Sequence, residues 1–227
     1  MQETILIAED EAILREIAKD YFANEGYEVL EAADGEEALH LFQTNDPALI
    51  ILDIMLPELD GWSVCRRIRK TSNVPIIMLT ARSDEEDTLL GFELGADDYV
   101  TKPYSPPILM ARAKRLLDSR RRQPVNAVHQ SLSLGGISLN LTSRSAAVDG
   151  RALHLTFTEY EILVLLMKNP GMVITREQFI AKIWGYEDAG DDRTLNTHIR
   201  NLRIKLGDKS SLITTILRIG YKFEDPA

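Results

Sequence analysis

The sequence contains only one cysteine, Cys65, and no apolar run long enough to cross a membrane. A single thiol excludes an internal disulfide framework and is typical of a reducing compartment. We expect it to be a small packing residue on a helix, although the adjacent Arg66 and Arg67 could lower its pKa. The N-terminus also lacks the basic and apolar segments of a signal peptide. These absences predict a soluble, cytoplasmic protein with no membrane partner.

Two kinds of enzyme site are disfavoured by motifs that are missing. No G-x-G-x-x-G follows the first predicted strand, which argues against a dinucleotide-binding enzyme. The four histidines, His40, His129, His154 and His198, do not have the spacing of a metal site.

Charge is distributed unevenly along the chain, whose formal net charge is −9. Residues 1–118 hold 11 Lys and Arg against 24 Asp and Glu, a balance of −13, whereas residues 119–227 hold 15 against 11, a balance of +4. An acidic half joined to a basic half predicts different partners for the two halves. The basic half is the candidate for a phosphate-rich ligand.

Residues 1–118 alternate short apolar strands with amphipathic helices. The predicted strands are Thr4–Ala8, Glu28–Glu31, Ala48–Leu52, Val74–Leu79 and Asp98–Val100. The predicted helices are Ala12–Asn24, Glu36–Gln43, Trp62–Lys70, Glu85–Leu94 and Pro106–Leu117. Five βα units predict an α/β fold, a doubly wound five-stranded parallel sheet with helices on both faces.

Residues 119–130 lack periodicity and are predicted to be a linker, which leaves residues 131–227 as a second domain. Its predicted strands are Ser131–Leu134, Ile137–Asn140, Ala146–Val148 and Ala152–His154, followed later by a hairpin of Ile213–Leu217 and Tyr221–Glu224. Three predicted helices begin at Thr158, Thr175 and Arg193 and end near Lys168, Trp184 and Leu206. Helix-turn-helix followed by a β-hairpin predicts an α+β winged-helix domain.

Polar side chains follow four strands of the predicted parallel sheet. Glu9 and Asp10 follow the first strand, Asp53 ends the third, Thr80 ends the fourth and Lys102 follows the fifth. Ligands of open α/β sheets bind at this edge, and clustered carboxylates favour a hard cation such as Mg²⁺. We therefore expect Asp53 to be a nucleophile for a phosphoryl group, with Mg²⁺, Lys102 and Thr80 neutralising its oxygens.

A phosphatase of the haloacid-dehalogenase type also uses an Asp nucleophile on a parallel sheet. That chemistry requires a second Asp two residues after the nucleophile as a general acid. Position 55 is Met, which cannot donate a proton. This rival function is therefore disfavoured.

Residues 3–118 resemble a response-regulator receiver domain through AEDE at 8–11, LDIMLPELDG at 52–61, TAR at 80–82 and GADDYVTKPYSP at 95–106. The resemblance implies a flavodoxin-like fold with Asp53 as the acceptor of phosphate from a histidine kinase's phosphohistidine. It implies Mg²⁺ held by Asp10, Asp53 and the Met55 carbonyl, with Glu9 acting through water. It also implies that Thr80 and Tyr99 reorient together on phosphorylation.

The third helix of the second domain reads RTLNTHIRNLRIKL. Leu195, Ile199, Leu202 and Leu206 form one apolar stripe. The remaining positions are rich in Arg, Asn and Thr, including Thr197, which suits a helix packed on its domain with its outer face in a DNA major groove. The alternative is an ordinary solvated helix, and the scarcity of acidic residues from Arg193 to Gly207 disfavours it.

Residues 130–225 resemble the OmpR/PhoB-type effector domain through LTFTEYEILVLLMKNPG, ITREQFIAKIWGY, RTLNTHIRNLR and GYKFE. By position, the resemblance implies phosphate contacts from Arg193, Thr194, His198, Arg200 and Arg203, assisted by Trp184. It implies base reading by Asn201 and backbone contact by Thr215 in the wing. In the wing, Leu217 replaces a frequent Arg and Arg218 replaces a turn Gly, which leaves the minor-groove contact of this segment open. Ile204 stands where a cation is common.

The same resemblance implies a homodimer formed through the fourth and fifth helices of the receiver. A charge pair common in relatives is replaced here by Thr88 and Ile108. The other charges implied at this face are Asp97, Asp98, Arg112 and Lys114. Phosphorylation is expected to favour the dimer, so that two winged helices bind two half-sites of duplex DNA.

The sequence thus predicts a bacterial transcription regulator rather than an enzyme, one that catalyses only its own phosphoryl transfer and slow dephosphorylation. Its expected partners are a sensor histidine kinase and duplex DNA, with RNA polymerase as a further candidate. The alternative is a phosphorylation-independent DNA binder with a vestigial receiver, which the intact Asp53, Thr80 and Lys102 disfavour.

Overall fold

The computed structural model describes residues 2–81, 94–121, 131–185 and 192–224, with the side chains of 119–121 and 192–193 outside the description. The chain divides into two compact units between residues 121 and 122. Each unit is described by itself below.

The first unit is a five-stranded parallel sheet in the order β2-β1-β3-β4-β5. Its strands are β1 Thr4–Ala8, β2 Glu28–Ala32, β3 Leu49–Asp53, β4 Ile76–Ala81 and β5 Asp98–Lys102. Its described helices are α1 Ala12–Asn24, α2 Gly35–Asn45, α3 Gly61–Arg69 and α4 Pro106–Arg121. The predicted doubly wound fold is confirmed, with most bounds shifted by one to three residues. The predicted helix 85–94 lies outside the described residues except for Leu94.

The sequence explains why the third strand and third helix form where they do. Every residue of β3 is buried, as expected for a strand covered on both faces. Asp60 caps α3 by accepting the Ser63 N–H at 2.9 Å. A Cβ at Gly61 would lie 2.0 Å from the Asp53 carbonyl oxygen, so glycine allows α3 to begin against the end of β3. The loop between Asp53 and α3 is thereby held in place.

Cys65 lies on the buried side of α3 with no exposed surface. Burial raises the pKa of its thiol to about 11, although Arg69 opposes that shift. The expectation of a packing residue is confirmed.

The helix α4 ends at Arg121, three residues inside the predicted linker, and residues 122–130 lie outside the described part.

The second unit contains two antiparallel sheets and three described helices. One sheet is β6 Ser131–Leu134, β7 Ile137–Asn140, β8 Ser145–Val148 and β9 Arg151–Leu153 in chain order. The other has β12 Gly220–Phe223 between β10 Val173–Thr175 and β11 Ile213–Ile216. The helices are α5 Phe157–Met167, α6 Arg176–Ile183 and α7 Asp192–Leu206, the last followed by a 3₁₀ helix Gly207–Leu212. The predicted α+β winged-helix architecture is confirmed.

Two local predictions in this unit need correction. The capping box of α5 is formed by Thr156 and Glu159, so the helix begins at Phe157, one residue before the predicted start at Thr158. Thr158 is fully buried inside the first turn. The strand β10 was missed, because a three-residue strand is too short to show periodicity and depends on pairing with β12.

Candidate acidic site and nucleic-acid interface

The predicted acidic residues meet at the carboxyl edge of the first sheet. β1 ends at Ala8 and β3 ends at Asp53, so these adjacent parallel strands bring their following residues to one place. One carboxylate oxygen from each of Glu9, Asp10 and Asp53 lies within 4.8 Å of the others. Glu9 and Asp53 are buried, whereas Asp10 is exposed.

Lys102, at the end of β5, reaches the same cluster. Its Nζ lies 2.5 Å from Asp53 Oδ2 and 2.6 Å from Glu9 Oε2. Burial opposes the charge on Lys102, but the hydrogen bonds to Asp53 and Glu9 outweigh it and raise the pKa of the ammonium. Burial raises the pKa of Glu9; the hydrogen bond from Lys102 opposes this and the Asp53 charge reinforces it.

The donor set fits a hard divalent cation. Three carboxylates lie together and two of them contact the ammonium of Lys102, which leaves excess negative charge at a partly buried site. Mg²⁺ prefers a few carboxylate oxygens of this kind and completes its shell with water. The residues present therefore fit the cation expected from the sequence.

Asp53 is held by its neighbours on both carboxylate oxygens. Its Oδ1 accepts the Met55 N–H at 3.1 Å, while Oδ2 contacts Lys102. The Met55 side chain is exposed, and the proposed role of its carbonyl as a ligand stays a prediction.

The two predicted switch residues lie on β4 and β5. Thr80 is buried near the end of β4, where its hydroxyl donates to the Ala81 carbonyl at 3.1 Å. Tyr99 is buried on β5, with its ring centroid 6.2 Å from that of Trp62. Their joint reorientation stays a prediction.

Two residues at this edge were missed by the sequence analysis. Arg15 of α1 donates from Nη1 to the Glu9 carbonyl at 2.5 Å and to the Asp10 carbonyl at 3.3 Å. Burial raises the pKa of the Tyr104 hydroxyl to about 12, and the Glu9 charge adds to the shift. A contact from a side chain to a carbonyl leaves no mark in sequence patterns, so only the fold could identify Arg15.

The charges predicted for a dimer face form contacts within the first unit. Asp97 is fully buried and accepts from Arg69 Nη2 at 2.8 Å and from the Ile76 N–H at 3.0 Å, so its expected place on a surface was wrong. Asp98 is also buried and contacts Arg112 and Arg115 at 2.8 and 2.9 Å.

The remaining dimer-face predictions concern Lys114, Ile108 and Thr88. Lys114 lies on α4 and forms an ion pair with Glu25, the residue that follows α1, at 2.5 Å. Ile108 is 55% exposed on α4. Thr88 lies outside the described residues.

In the second unit, α7 has the predicted two-sided character. The stripe of Leu195, Ile199, Leu202 and Leu206 is buried in the domain core, as predicted. Arg200 is exposed on the other side, with Thr194 and Asn201 half-buried beside it. The Arg193 side chain lies outside the described part. The outer face therefore combines cationic and amide side chains.

Three predicted DNA contacts on this unit lie in its interior. Trp184 and His198 pack together with ring centroids 5.8 Å apart and are 6% and 1% exposed. Thr197 is 8% exposed. All three side chains are buried in the domain, and their direct contact with DNA stays a prediction. The pattern that placed them in the interface could not show how closely the helices approach.

Arg203 connects α7 to the wing hairpin. Its Nη2 donates to the Ile213 carbonyl at 2.6 Å and to Thr215 Oγ1 at 2.8 Å. Thr215 itself is exposed, as is Arg218, whose backbone adopts φ +61° at the tip of the hairpin. Left-handed backbone is unusual for a residue with a side chain.

Comparison with known proteins agrees with both units. Residues 5–114 match the response regulator receiver domain family, and residues 150–223 match the family described as transcriptional regulatory protein, C terminal. The probable transcriptional regulator ycf27 of Cyanophora paradoxa is 40% identical over 99% of this chain and 97% of its own length. The transcriptional regulatory protein SrrA of Staphylococcus aureus is 40% identical over 99% and 96%.

Solved structures give the same result. The response regulator DrrB of Thermotoga maritima, an OmpR/PhoB homolog, is 32% identical, covers 99% of this chain and 100% of its own, and has a TM-score of 0.53. A mutant of RitR is 25% identical, with 97% and 98% coverage and a TM-score of 0.80. Within the described residues, no helix is both long and apolar enough to span a bilayer. The chain belongs to the OmpR/PhoB family of two-component response regulators, with a receiver domain and a DNA-binding domain that controls transcription.

Proposed function

We propose that Asp53 accepts a phosphoryl group from the phosphohistidine of a sensor kinase in a magnesium-dependent transfer. The observation that carries this proposal is the buried Asp53 carboxylate, held by Lys102 among converging acidic side chains. An Asp53 oxygen forms the new bond to phosphorus as the phosphorus–nitrogen bond to the histidine breaks, and the imidazole leaves.

The chain's own residues would orient and neutralise the reacting group. Asp10, Asp53 and the Met55 carbonyl would hold Mg²⁺, with Glu9 acting through water. The cation, when bound, supplies charge neutralisation for the transferring oxygens. Lys102 Nζ supplies a second positive charge beside Asp53, and the Thr80 hydroxyl lies at the end of the adjacent strand.

Phosphorylation with acetyl phosphate tests this proposal. With Mg²⁺ present, intact-mass spectrometry should find a single acid-stable, base-labile phosphoryl group on the parent protein and none on Asp53→Ala. Asp20→Ala, which removes an exposed carboxylate from α1, should behave like the parent. Equal incorporation into the parent and Asp53→Ala would overturn the assignment.

The outer face of α7 is proposed to lie in the major groove of duplex DNA. Arg200 would hold a phosphate and Asn201 would read a base edge, for which an amide side chain is suited. Asn201→Ala should relax preference at one base position, at a cost of about 1–3 kcal/mol for the preferred base. Selection of bound fragments from random DNA measures this, and an unchanged base preference would contradict the role of Asn201.

Phosphorylation is proposed to favour a homodimer of receivers. Two linked winged helices would then bind two half-sites, because the second binding event becomes intramolecular. The protein would act as a regulator whose only catalysis is its own phosphoryl transfer and slow dephosphorylation. RNA polymerase is a candidate partner once the dimer is on DNA.

A further inference from the structure

Arg15 ties α1 to the loop that carries two of the acidic side chains. Its Nη1 donates to the carbonyls of Glu9 and Asp10 at 2.5 and 3.3 Å, and its backbone N–H donates to the Glu11 carbonyl at 3.0 Å. The side chain therefore contacts two consecutive residues of the segment between β1 and α1, and the backbone bond is the first i→i−4 hydrogen bond of the helix. The contacts are to backbone oxygens, so they fix the path of the loop without neutralising its carboxylates.

The Arg15 guanidinium also contacts a carboxylate of the sheet. Its Nε lies 3.8 Å from Oε2 of Glu31, a β2 residue beside Ile7 of β1. Lys19, one helical turn further along α1, lies 2.5 Å from the other oxygen of Glu31. The side chain of Arg15 is 18% exposed, so most of it is enclosed between helix and sheet.

We propose that Arg15 is a positioning residue for the divalent cation of this site, an inference that rests on the proposed function. By holding the carbonyls of Glu9 and Asp10, it orders the loop before the cation arrives. Without it, the loop must be ordered by the cation itself, and the apparent affinity falls.

The charge of Arg15 acts in the opposite direction from its hydrogen bonds. A guanidinium beside the acidic cluster repels a second cation, so its removal should tighten Mg²⁺ binding if electrostatics alone mattered. The positioning role predicts weaker binding instead. The sign of the change in affinity therefore separates the two effects.

Calorimetric titration of the full chain with MgCl₂ measures that sign directly. Arg15→Gln should bind Mg²⁺ about 10-fold more weakly than the parent, within the range for residues that support metal ligands. Lys19→Gln is the matched control, since it removes the same charge from the same helix and also removes an ion pair with Glu31. It should bind as tightly as the parent or slightly tighter. Arg15→Lys keeps the charge and should fall between the parent and Arg15→Gln.

Several outcomes would overturn the inference. These are Arg15→Gln binding as tightly as the parent or tighter, and Lys19→Gln losing as much affinity as Arg15→Gln. If Arg15→Gln does not fold, as judged by circular dichroism in EDTA, unchanged affinity in Arg15→Lys overturns it instead. A parent protein that binds no Mg²⁺ overturns the magnesium-dependent function as well, which distinguishes the two failures.

Discussion

Buried carboxylates are neutralised differently in the two units. At the receiver edge, the carboxylates of Glu9 and Asp53 share one ammonium, that of Lys102. Among the described residues of the second unit, Glu159 is the buried carboxylate, and its Oε2 accepts from Lys205 Nζ at 2.6 Å and from the Thr156 N–H at 2.8 Å. The first arrangement has excess negative charge, whereas the second is balanced.

The difference distinguishes a binding site from a structural ion pair. Asp97 and Asp98 lie in the same unit as the acidic edge, yet each contacts an Arg and a backbone N–H, as a satisfied buried carboxylate should. Within the described part of the chain, the edge is where three carboxylates converge, and such like charges are unfavourable together unless a cation binds there. Burial alone therefore does not identify a functional carboxylate. A group of carboxylates with too few cationic partners is the feature that marks a binding site.

The sharpest test of this comparison is the same isosteric change in both units. Without Mg²⁺, Glu9→Gln should raise the free energy of unfolding by about 1 kcal/mol, because repulsion with Asp53 disappears while Lys102 keeps a partner. Glu159→Gln should lower it by about 1.5–3 kcal/mol, because a charged hydrogen-bond acceptor is lost. Urea denaturation in EDTA, followed by fluorescence, measures both.

Each unit contains one tryptophan that reports on its unfolding, Trp62 in the first and Trp184 in the second. Asp20→Asn, on an exposed position, is the control for loss of charge alone. If Glu9→Gln and Glu159→Gln change stability with the same sign, the contrast between an unbalanced and a balanced carboxylate is wrong.

A second test concerns the α4 face, where Lys114 and Asp98 already have partners and Ile108 is exposed. If phosphorylated receivers associate here, burial of Ile108 contributes up to roughly 1.5–3 kcal/mol and the dimer tolerates salt. Ile108→Glu should therefore weaken the phosphorylated dimer at every salt concentration. Sedimentation across a salt series measures this.

The control for this experiment is Ile17→Glu, which places a carboxylate on an exposed apolar position of α1 instead. It should leave dimerisation unchanged. An Ile108→Glu variant that associates as tightly as the parent would exclude this residue from the interface.

The third test separates two arginines on α7. Arg203→Ala should lower the free energy of unfolding by about 1–2 kcal/mol, because its contacts to Ile213 and Thr215 are lost. Arg200→Ala, at an exposed position, should change stability by less than about 0.5 kcal/mol but reduce the salt slope of DNA binding by about one. Denaturation measures the free energy of unfolding of both variants, and DNA affinity measured from low to high salt gives their salt slopes. A salt slope unchanged by Arg200→Ala would remove its phosphate contact.

The smallest expected effect is at the wing. Because Arg218 has a left-handed backbone, Arg218→Gly should raise the free energy of unfolding by up to about 1 kcal/mol. If the guanidinium of Arg218 also contacts DNA, Arg218→Gly binds DNA more weakly than the parent although it is more stable. Arg218→Lys, which keeps both charge and strain, should retain binding. Unaltered DNA affinity in Arg218→Gly would show that the wing tip makes no energetic contact.

The acidic edge could be predicted from sequence because its residues directly follow strands. Once five βα units are recognised, parallel strands must bring Glu9, Asp53 and Lys102 to the same edge. The interface could be predicted only in part. The stripe of α7 follows from helical periodicity, whereas the burial of Trp184 and His198 depends on contacts between helices that are distant in sequence.

The order of elements, the parallel sheet and the types of residue at its carboxyl edge can be read from the amino acids alone, because periodicity and strand-end position are local properties. Which charges already have partners depends on packing between distant segments. Asp97 and Asp98 are adjacent in sequence to Tyr99 and look available, yet arginines up to 28 residues away occupy them. Arg15 likewise acquires its role only when α1 packs beside the end of β1. Its acceptors are backbone carbonyls, which every residue has, so their identity in the sequence does not reveal the contact.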